Sequence, residues 1–306
     1  MKRALQLARN GEGHVSPNPM VGAVIVSKEG RIIGEGYHAQ FGGPHAEVNA
    51  VASVREEDRH LLPDSTIYVT LEPCAHYGKT PPCANLIVSS GIKKVVIASP
   101  DPNPLVAGKG VNILRDADIE VTEGVLREEA DELNKRFMTS HKKHRPYILL
   151  KWAQSADRFM AAIDEEGKPT PVKFSNKLSQ VWMHRERAHS DAIMVGRNTL
   201  KTDKPRLDSR LWGGKDPKRI DCCHDMDLES LMKDLHTQGI TSLMVEGGGK
   251  LLESFIRNGL YDEIRIETSP ILLKEGINAP AIPENVYLLS SGKIRDNKIE
   301  TFRVSE

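Results

Sequence analysis

Twice along the chain, short apolar runs of strand length alternate with amphipathic stretches of helical period, and the basic, proline-ended run Lys142-Lys143-His144-Arg145-Pro146 parts the two series. Alternation of this kind is what a sheet needs when helices pack on its faces. In the first series the strand candidates are Val21–Ser27, Arg31–Tyr37, Ser65–Leu71, Lys94–Ser99 and a short run near Glu120–Thr122. The helix candidates there are Leu5–Asn10, Ala46–Val54, Cys83–Ser90 and Leu126–His141. In the second series Tyr147–Ala153, Ala192–Gly196, Ser242–Val245 and Glu263–Glu267 read as strands and Asn176–Ala188, Asp227–His236 and Lys250–Asn258 as helices. Val286–Ser291 and Lys298–Val304 read as a closing hairpin turned at Asp296-Asn297. Basic residues suit a helix C-terminus and proline stops its continuation. The boundary therefore falls near 143, giving one α/β domain over 1–143 and another over 144–306. A chain of 306 residues exceeds the size at which a single core stops growing, in keeping with two.

Charge narrows the function classes. Lys and Arg total 42 and Asp and Glu total 42, so no global field draws the chain to nucleic acid or membrane, and an anionic ligand must be held by local groups. The four cysteines, two of them the neighbours Cys222 and Cys223, do not form the spaced framework of a small secreted protein, which points to a reducing, cytoplasmic setting. The apolar run at the start is broken by Gln6 and Arg9 before it reaches signal-peptide length, and no later segment approaches a membrane span.

His45-Ala46-Glu47, Pro73-Cys74 and Pro82-Cys83 carry the strongest chemical signal. Catalytic zinc takes three protein ligands from His, Cys and carboxylate and keeps a fourth position for water, and His45, Cys74 and Cys83 supply that three. A helix starting at His45 holds Glu47 within a turn of the metal, where its carboxylate can take a proton from water and pass it to a leaving amine. Cysteine at a helix N-terminus gains support for its thiolate. His-x-Glu followed by Pro-Cys-x-x-Cys is the general signature of zinc nucleobase deaminases; here eight residues separate the cysteines instead of two. A closed structural site would want four ligands, with His76 the spare nearby, and would leave Glu47 without a task.

Thr70-Leu71-Glu72-Pro73-Cys74-Ala75-His76-Tyr77-Gly78-Lys79-Thr80-Pro81-Pro82-Cys83, Asn18-Pro19-Met20-Val21-Gly22 and Asp101-Pro102-Asn103 closely resemble the bifunctional deaminase/reductase family of riboflavin biosynthesis. The resemblance implies a cytidine-deaminase-like three-layer α/β/α domain followed by a dihydrofolate-reductase-like α/β domain. It implies zinc on His45, Cys74 and Cys83, Glu47 as proton shuttle, and Asn18 on the substrate sugar, although Asn18 also suits a turn before Pro19. The implied substrate is 2,5-diamino-6-ribosylamino-4(3H)-pyrimidinone 5′-phosphate, which loses its 2-amino group as ammonia. NADPH then reduces the ribosyl group to ribityl. A homo-oligomer is implied as well.

In the second half Val245-Glu246-Gly247-Gly248-Gly249-Lys250 sits between a predicted strand and helix, where glycines let a phosphate approach free N–H groups, although such a turn is often a plain connection. Lys151 through Asp157, Asp191 through Gly196 and Asn198 through Leu207 resemble successive motifs of that family's reductase domain. By the resemblance Ala153, Thr199, Asp203, Gly248, Gly249, Lys250, Leu251, Leu252, Glu253 and Ser254 contact NADPH, and Leu207, Arg210 and Glu246 contact substrate; Arg210 suits a phosphate. Lys151 and Asp157 are either substrate-facing or solvated strand-end charges. The sequence departs from the pattern at Pro171-Val172-Lys173, where the family has Ser-x-Trp, and at Arg158, where it has glycine. Arg219 to Asp225 stands where relatives carry a longer passage with a cofactor contact and central sheet elements, so the reductase domain is expected to be shortened there, near 221–225. Two rival readings follow: a deaminase whose second domain is only a scaffold or oligomerisation module, and a deaminase of single-stranded RNA. The neutral balance and the few aromatics, 6 Phe, 6 Tyr and 3 Trp, argue against the RNA reading.

Overall fold

The computed structural model describes residues 1–77, 81–103, 106–202, 205–221 and 227–305. The chain divides into two compact units, Met1–His144 and Arg145–Glu306. Among the described residues no helix is long and apolar enough to cross a membrane.

The first unit runs α1 (Lys2–Ala8), β1 (Gly22–Val26), β2 (Ile32–Tyr37), α2 (Ala46–Ala52), β3 (Thr66–Leu71), α3 (Cys83–Ser89), β4 (Lys94–Ser99), α4 (Lys109–Asp116), β5 (Glu120–Glu123), α5 (Arg127–Leu133) and α6 (Lys135–Lys143). Its five strands are ordered β2-β1-β3-β4-β5. β2, β1 and β3 pair antiparallel, whereas β3, β4 and β5 are parallel, each connection carrying a helix as parallel strands require. Strand alternation sends Ala23 and Ile25 to one face, where α2, α3 and α4 cover them through Ala50, Ile87 and Leu114. Val24 goes to the other, under Ala4 and Leu7 of α1. Three layers result.

The single helix expected over Leu126–His141 is two. Asn134 breaks it: its buried side chain accepts from Met20 N (2.8 Å) and donates to Met20 O (2.9 Å), a pairing with a distant segment that overrides local periodicity. The helix α4 has no counterpart in the sequence reading.

The second unit runs β6 (Tyr147–Gln154), β7 (Phe159–Ile163), β8 (Pro169–Thr170), α7 (Lys177–Ala188), β9 (Ala192–Val195), α8 (Arg197–Thr202), β10 (Lys218–Asp221), α9 (Leu228–Thr237), β11 (Ser242–Glu246), α10 (Gly249–Arg257), β12 (Glu263–Thr268), β13 (Ile277–Asn278), β14 (Val286–Ile294) and β15 (Asn297–Val304). Seven strands are ordered β10-β9-β11-β6-β12-β15-β14; the first five are mutually parallel and the closing hairpin antiparallel. Ile148, Leu150 and Trp152 pack on one face with Leu235 and Phe255 of α9 and α10, while Leu149, Ile193 and Met244 pack on the other with Met183 and Leu200 of α7 and α8. Arg145 grips Asp262 with two bonds (2.6 and 2.8 Å), and the same carboxylate accepts from Ile148 N, fixing the entry to β6.

The expected loss of central sheet elements needs correction. The strands β9, β11, β6 and β12 form an uninterrupted parallel centre, because β9 finds a partner on each side, with β10 at the edge. Cys222 and Cys223 lie outside the described residues.

Asn134→Ala should leave the half-buried Met20 N–H and C=O without these partners, costing the first unit about 1 to 2 kcal/mol. Urea unfolding of parent and variant measures it; an unchanged midpoint would show that the two bonds are replaced by others.

Candidate functional site

Three elements deliver the first cluster. His45 is the N-cap of α2, Cys74 lies just beyond the carboxyl end of β3, and Cys83 opens α3. Their ligand atoms all lie within 4.8 Å of one another. His45 Nδ1 is 3.6 Å from Cys74 Sγ and 3.3 Å from Cys83 Sγ. The edges of a tetrahedron built with ordinary Zn–S and Zn–N bonds measure about 3.5 to 3.8 Å, so the donors fit one zinc ion. Two main-chain bonds hold the cysteines independently of any metal: Cys83 N donates to Cys74 Sγ (3.3 Å) and Ala84 N to Cys74 O (3.2 Å).

Electrostatics within the cluster suit a cation. The Cys83 thiol donates to Cys74, and with His45 beside it Cys74 is held down to about 4. Donation to Cys74 and burial raise Cys83. One proton is thus shared where a dication would displace it. Glu47, only 3 % exposed, is raised by burial to about 7 and touches the Cys83 sulfur. A group that ionises near neutrality beside the donors can both take and give a proton.

Asn18 reaches this cluster through a residue the sequence reading missed. The His38 ring lies 5.5 Å from that of His45, edge to face. Its Nδ1 sits 3.0 Å from Pro44 O, which can only accept, so the proton is on Nδ1 and Nε2 accepts from Asn18 Nδ2 at 3.1 Å. Burial lowers the His38 pKa, in the direction of the neutral ring. Asn18 is left presenting Oδ1 as an acceptor. The Gly36-Tyr37-His38 segment at the end of β2 was the available signal.

In the second unit a cavity of ≈ 310 Å³ opens beside the carboxyl end of β6, where ligands of parallel sheets bind. Ala153, Leu207 and Arg210 line it, together with Lys173, Arg206 and Arg187. Glu246 does not line it. Its carboxylate is gripped by Arg187 at 2.8 and 2.6 Å, and this guanidinium overrides the upward push of burial to hold Glu246 below the usual carboxylate range. Gln180, Met183, His184 and Arg187 lie at helical spacing on the face of α7 that borders the cavity. That polar stripe, legible at i, i+3, i+4 and i+7, was the missed signal. Burial and the charges of Arg187 and Arg210 lower the pKa of His184.

Gly248, the N-cap of α10, has φ +75°, and a Cβ there would stand 3.3 Å from Thr199 Oγ1 and 3.4 Å from Gly196 Cα, so only glycine lets the two turns close. Thr199, Gly248 and Gly249 therefore adjoin at a helix start whose first N–H groups have no partner within the helix. Lys250 and Glu253 are exposed, but the side chains of Leu251 and Leu252 are core and Ser254 Oγ donates to Leu251 O, so these three offer a ligand little beyond main chain. Asp203 lies outside the described residues. Lys151 is buried, 3.4 Å from Met183 Sδ and 3.8 Å from Glu267, and Asp157 accepts from the main-chain N–H groups of Leu273 and Lys274, a role in the fold.

Comparison with known proteins adds an independent line. Residues 1–99 match the cytidine and deoxycytidylate deaminase zinc-binding region, and the RibD C-terminal domain matches over 146–225 and again over 215–304, the two stretches overlapping at 215–225. The chain is 38% identical to riboflavin biosynthesis protein RibD of Aquifex aeolicus, over 98% of this chain and 94% of that one. A Thermotoga maritima diaminohydroxyphosphoribosylaminopyrimidine deaminase/5-amino-6-(5-phosphoribosylamino)uracil reductase superposes with a TM-score of 0.88 at 34% identity, covering 99% of this chain and 97% of that one. Acinetobacter baumannii RibD superposes equally, TM-score 0.88 at 32% identity, covering 100% and 98%.

Metal-free protein gives a signed test of Glu47. Its folded pKa lies above the unfolded value, so the folded state keeps a proton that the unfolded state has released, and stability falls as pH rises from the ordinary carboxylate range through about 7. Glu47→Gln removes that loss. After chelation the variant should outlast the parent in urea at about pH 8 and match it at about pH 4; equal midpoints at the higher pH would contradict a buried, raised carboxyl.

Proposed function

Because the chain belongs to the RibD family of riboflavin biosynthesis proteins, we propose that its two constellations divide that family's two reactions between them, deamination at His45, Glu47, Cys74 and Cys83 and reduction at the cationic cavity of the second unit. The family's activities are a zinc-dependent deaminase and an NADPH-dependent reductase. The observation that carries the residue assignment is the fit of one histidine nitrogen and two sulfurs to a single ion beside a buried carboxylate.

Zinc, when bound, supplies the Lewis acidity that makes water a nucleophile at neutral pH. His45, Cys74 and Cys83 hold it. Glu47 takes the proton of the attacking water and delivers it to the departing amine, which leaves as ammonia. Asn18, oriented by His38, accepts a hydrogen bond from the sugar. The substrate is the diaminohydroxyphosphoribosylaminopyrimidine named for the Thermotoga relative, and the 2-amino group is the one this reading assigns as leaving.

In the second unit Arg187, Arg206, Arg210 and Lys173 supply the local positive charge that the neutral chain lacks overall, and the substrate phosphate is held there. Leu207 and Ala153 give the apolar wall, and Glu246 acts through Arg187, whose guanidinium it fixes. NADPH supplies the hydride that converts ribosyl to ribityl. Thr199 and the start of α10, from Gly248 onward, hold the cofactor. A built, charged cavity favours this reading over a second domain that only scaffolds the first.

The chain works in a reducing compartment, the cytoplasm, since metal binding needs Cys74 and Cys83 as thiols, and without a nucleic-acid partner. It self-associates through β14, an edge strand of nine residues that exposes Tyr287, Leu288 and Leu289 in succession.

Glu47→Gln should cut ammonia release by about 10²-fold or more while zinc content and NADPH oxidation with the deaminated product persist; undiminished ammonia release would remove Glu47 from the reaction. Leu288→Lys should shift the mass in sedimentation to the monomer, and an unaltered oligomer would place the interface elsewhere.

A further inference from the structure

Glu72 is only 4 % exposed and belongs to no ion pair described above, yet it is surrounded by donors. Its Oε2 accepts from the main-chain N–H groups of Asp101 (3.3 Å) and Gly108 (3.0 Å), and its Oε1 from Gly110 (3.0 Å) and Val111 (3.3 Å). All four donors belong to the stretch that follows β4 and starts α4, nearly 30 to 40 residues away along the chain. A second contact marks the same junction. A Cβ on Gly110 would stand 1.9 Å from Pro73 O, so the first turn of α4 lies directly on the Glu72-Pro73-Cys74 turn.

The placement has a chemical meaning. β3 and β4 are neighbouring parallel strands, with Leu71 beside Ser99, so the turn carrying Cys74 and the stretch beginning at Asp101 leave the sheet side by side at its carboxyl edge. Ligands of parallel strands bind outside that edge. The metal-ligand turn does not need Glu72 for its own shape, being held by the Cys83 N and Ala84 N bonds.

We propose that Glu72 is a positioning residue of the deaminase reaction, its carboxylate clamping Asp101 and the Gly108 to Val111 turn against the Pro73-Cys74 turn so that one wall of the substrate site stays at a fixed distance from the metal donors. The inference rests on the deaminase reading. Replacing the carboxylate by an amide turns one acceptor into a donor facing two N–H groups, so one pair is lost and pushed away while size is conserved.

Glu72→Gln in the full chain is therefore expected to keep its zinc and its NADPH oxidation with the deaminated product, and to raise the KM for ammonia release about tenfold with kcat changed less than about threefold. Amide hydrogen exchange should accelerate at Gly108, Gly110 and Val111 and not at Cys83 or Ala84. Gly110→Ala, which displaces the same turn with Glu72 intact, should reproduce the KM rise. A parental KM, a loss of zinc, a fall in thermal stability without a KM change, or unchanged exchange at the three amides each overturns the clamp. Absence of ammonia release from the parent protein would instead defeat the deaminase reading itself.

Discussion

His45, Cys74 and Cys83 come from the start of one helix, the end of a strand and the start of another helix, and they meet within 4.8 Å. Nothing local in the sequence forces that meeting. It follows from β3 lying at the centre of the first sheet, with α2 packed against the strands beside it and α3 returning after Cys83 to lead into β4. Two thiols and an imidazole this close, one of them sharing its proton with the next, form a site completed by a cation. Glu47 gains its raised pKa from the same packing, because the helix that presents His45 also buries the carboxylate. On the proposed reading, metal binding and proton transfer thus rest on one piece of core.

The second unit follows a different logic at its proposed anion site. Its parallel strands end at a cavity whose cations are drawn from α7 and from the Arg206 to Arg210 stretch, and Glu246 at the end of β11 keeps Arg187 aimed by a two-point grip. The positive charge is local, as a chain of zero net charge requires. The parallel centre β9, β11, β6 and β12 is continuous, and the cavity and the glycine turn at Gly248 are both built on that sheet.

Periodicity alone reached most strands of both sheets, since strands such as β4 and β6 bury apolar residues over their whole length or in clear alternation. What escaped it was set by contacts between distant segments. α4 shows no local capping signal because its first N–H groups are satisfied by Glu72, 38 and 39 residues before Gly110 and Val111. The break at Asn134 is decided by Met20. His45, Glu47, Cys74 and Cys83 were legible because zinc chemistry restricts both residue type and neighbours. His38 and Arg187 were not singled out, since a lone histidine and a helix arginine look ordinary until the fold supplies Asn18 and Glu246 as their partners.

X-ray absorption at the zinc edge of the purified protein bears most directly on the central claim. One zinc per chain, with two sulfur neighbours at about 2.3 Å and lighter donors at about 2.0 Å, is the shell that His45, Cys74 and Cys83 dictate. A shell without sulfur, or protein that holds no stoichiometric zinc, would contradict it.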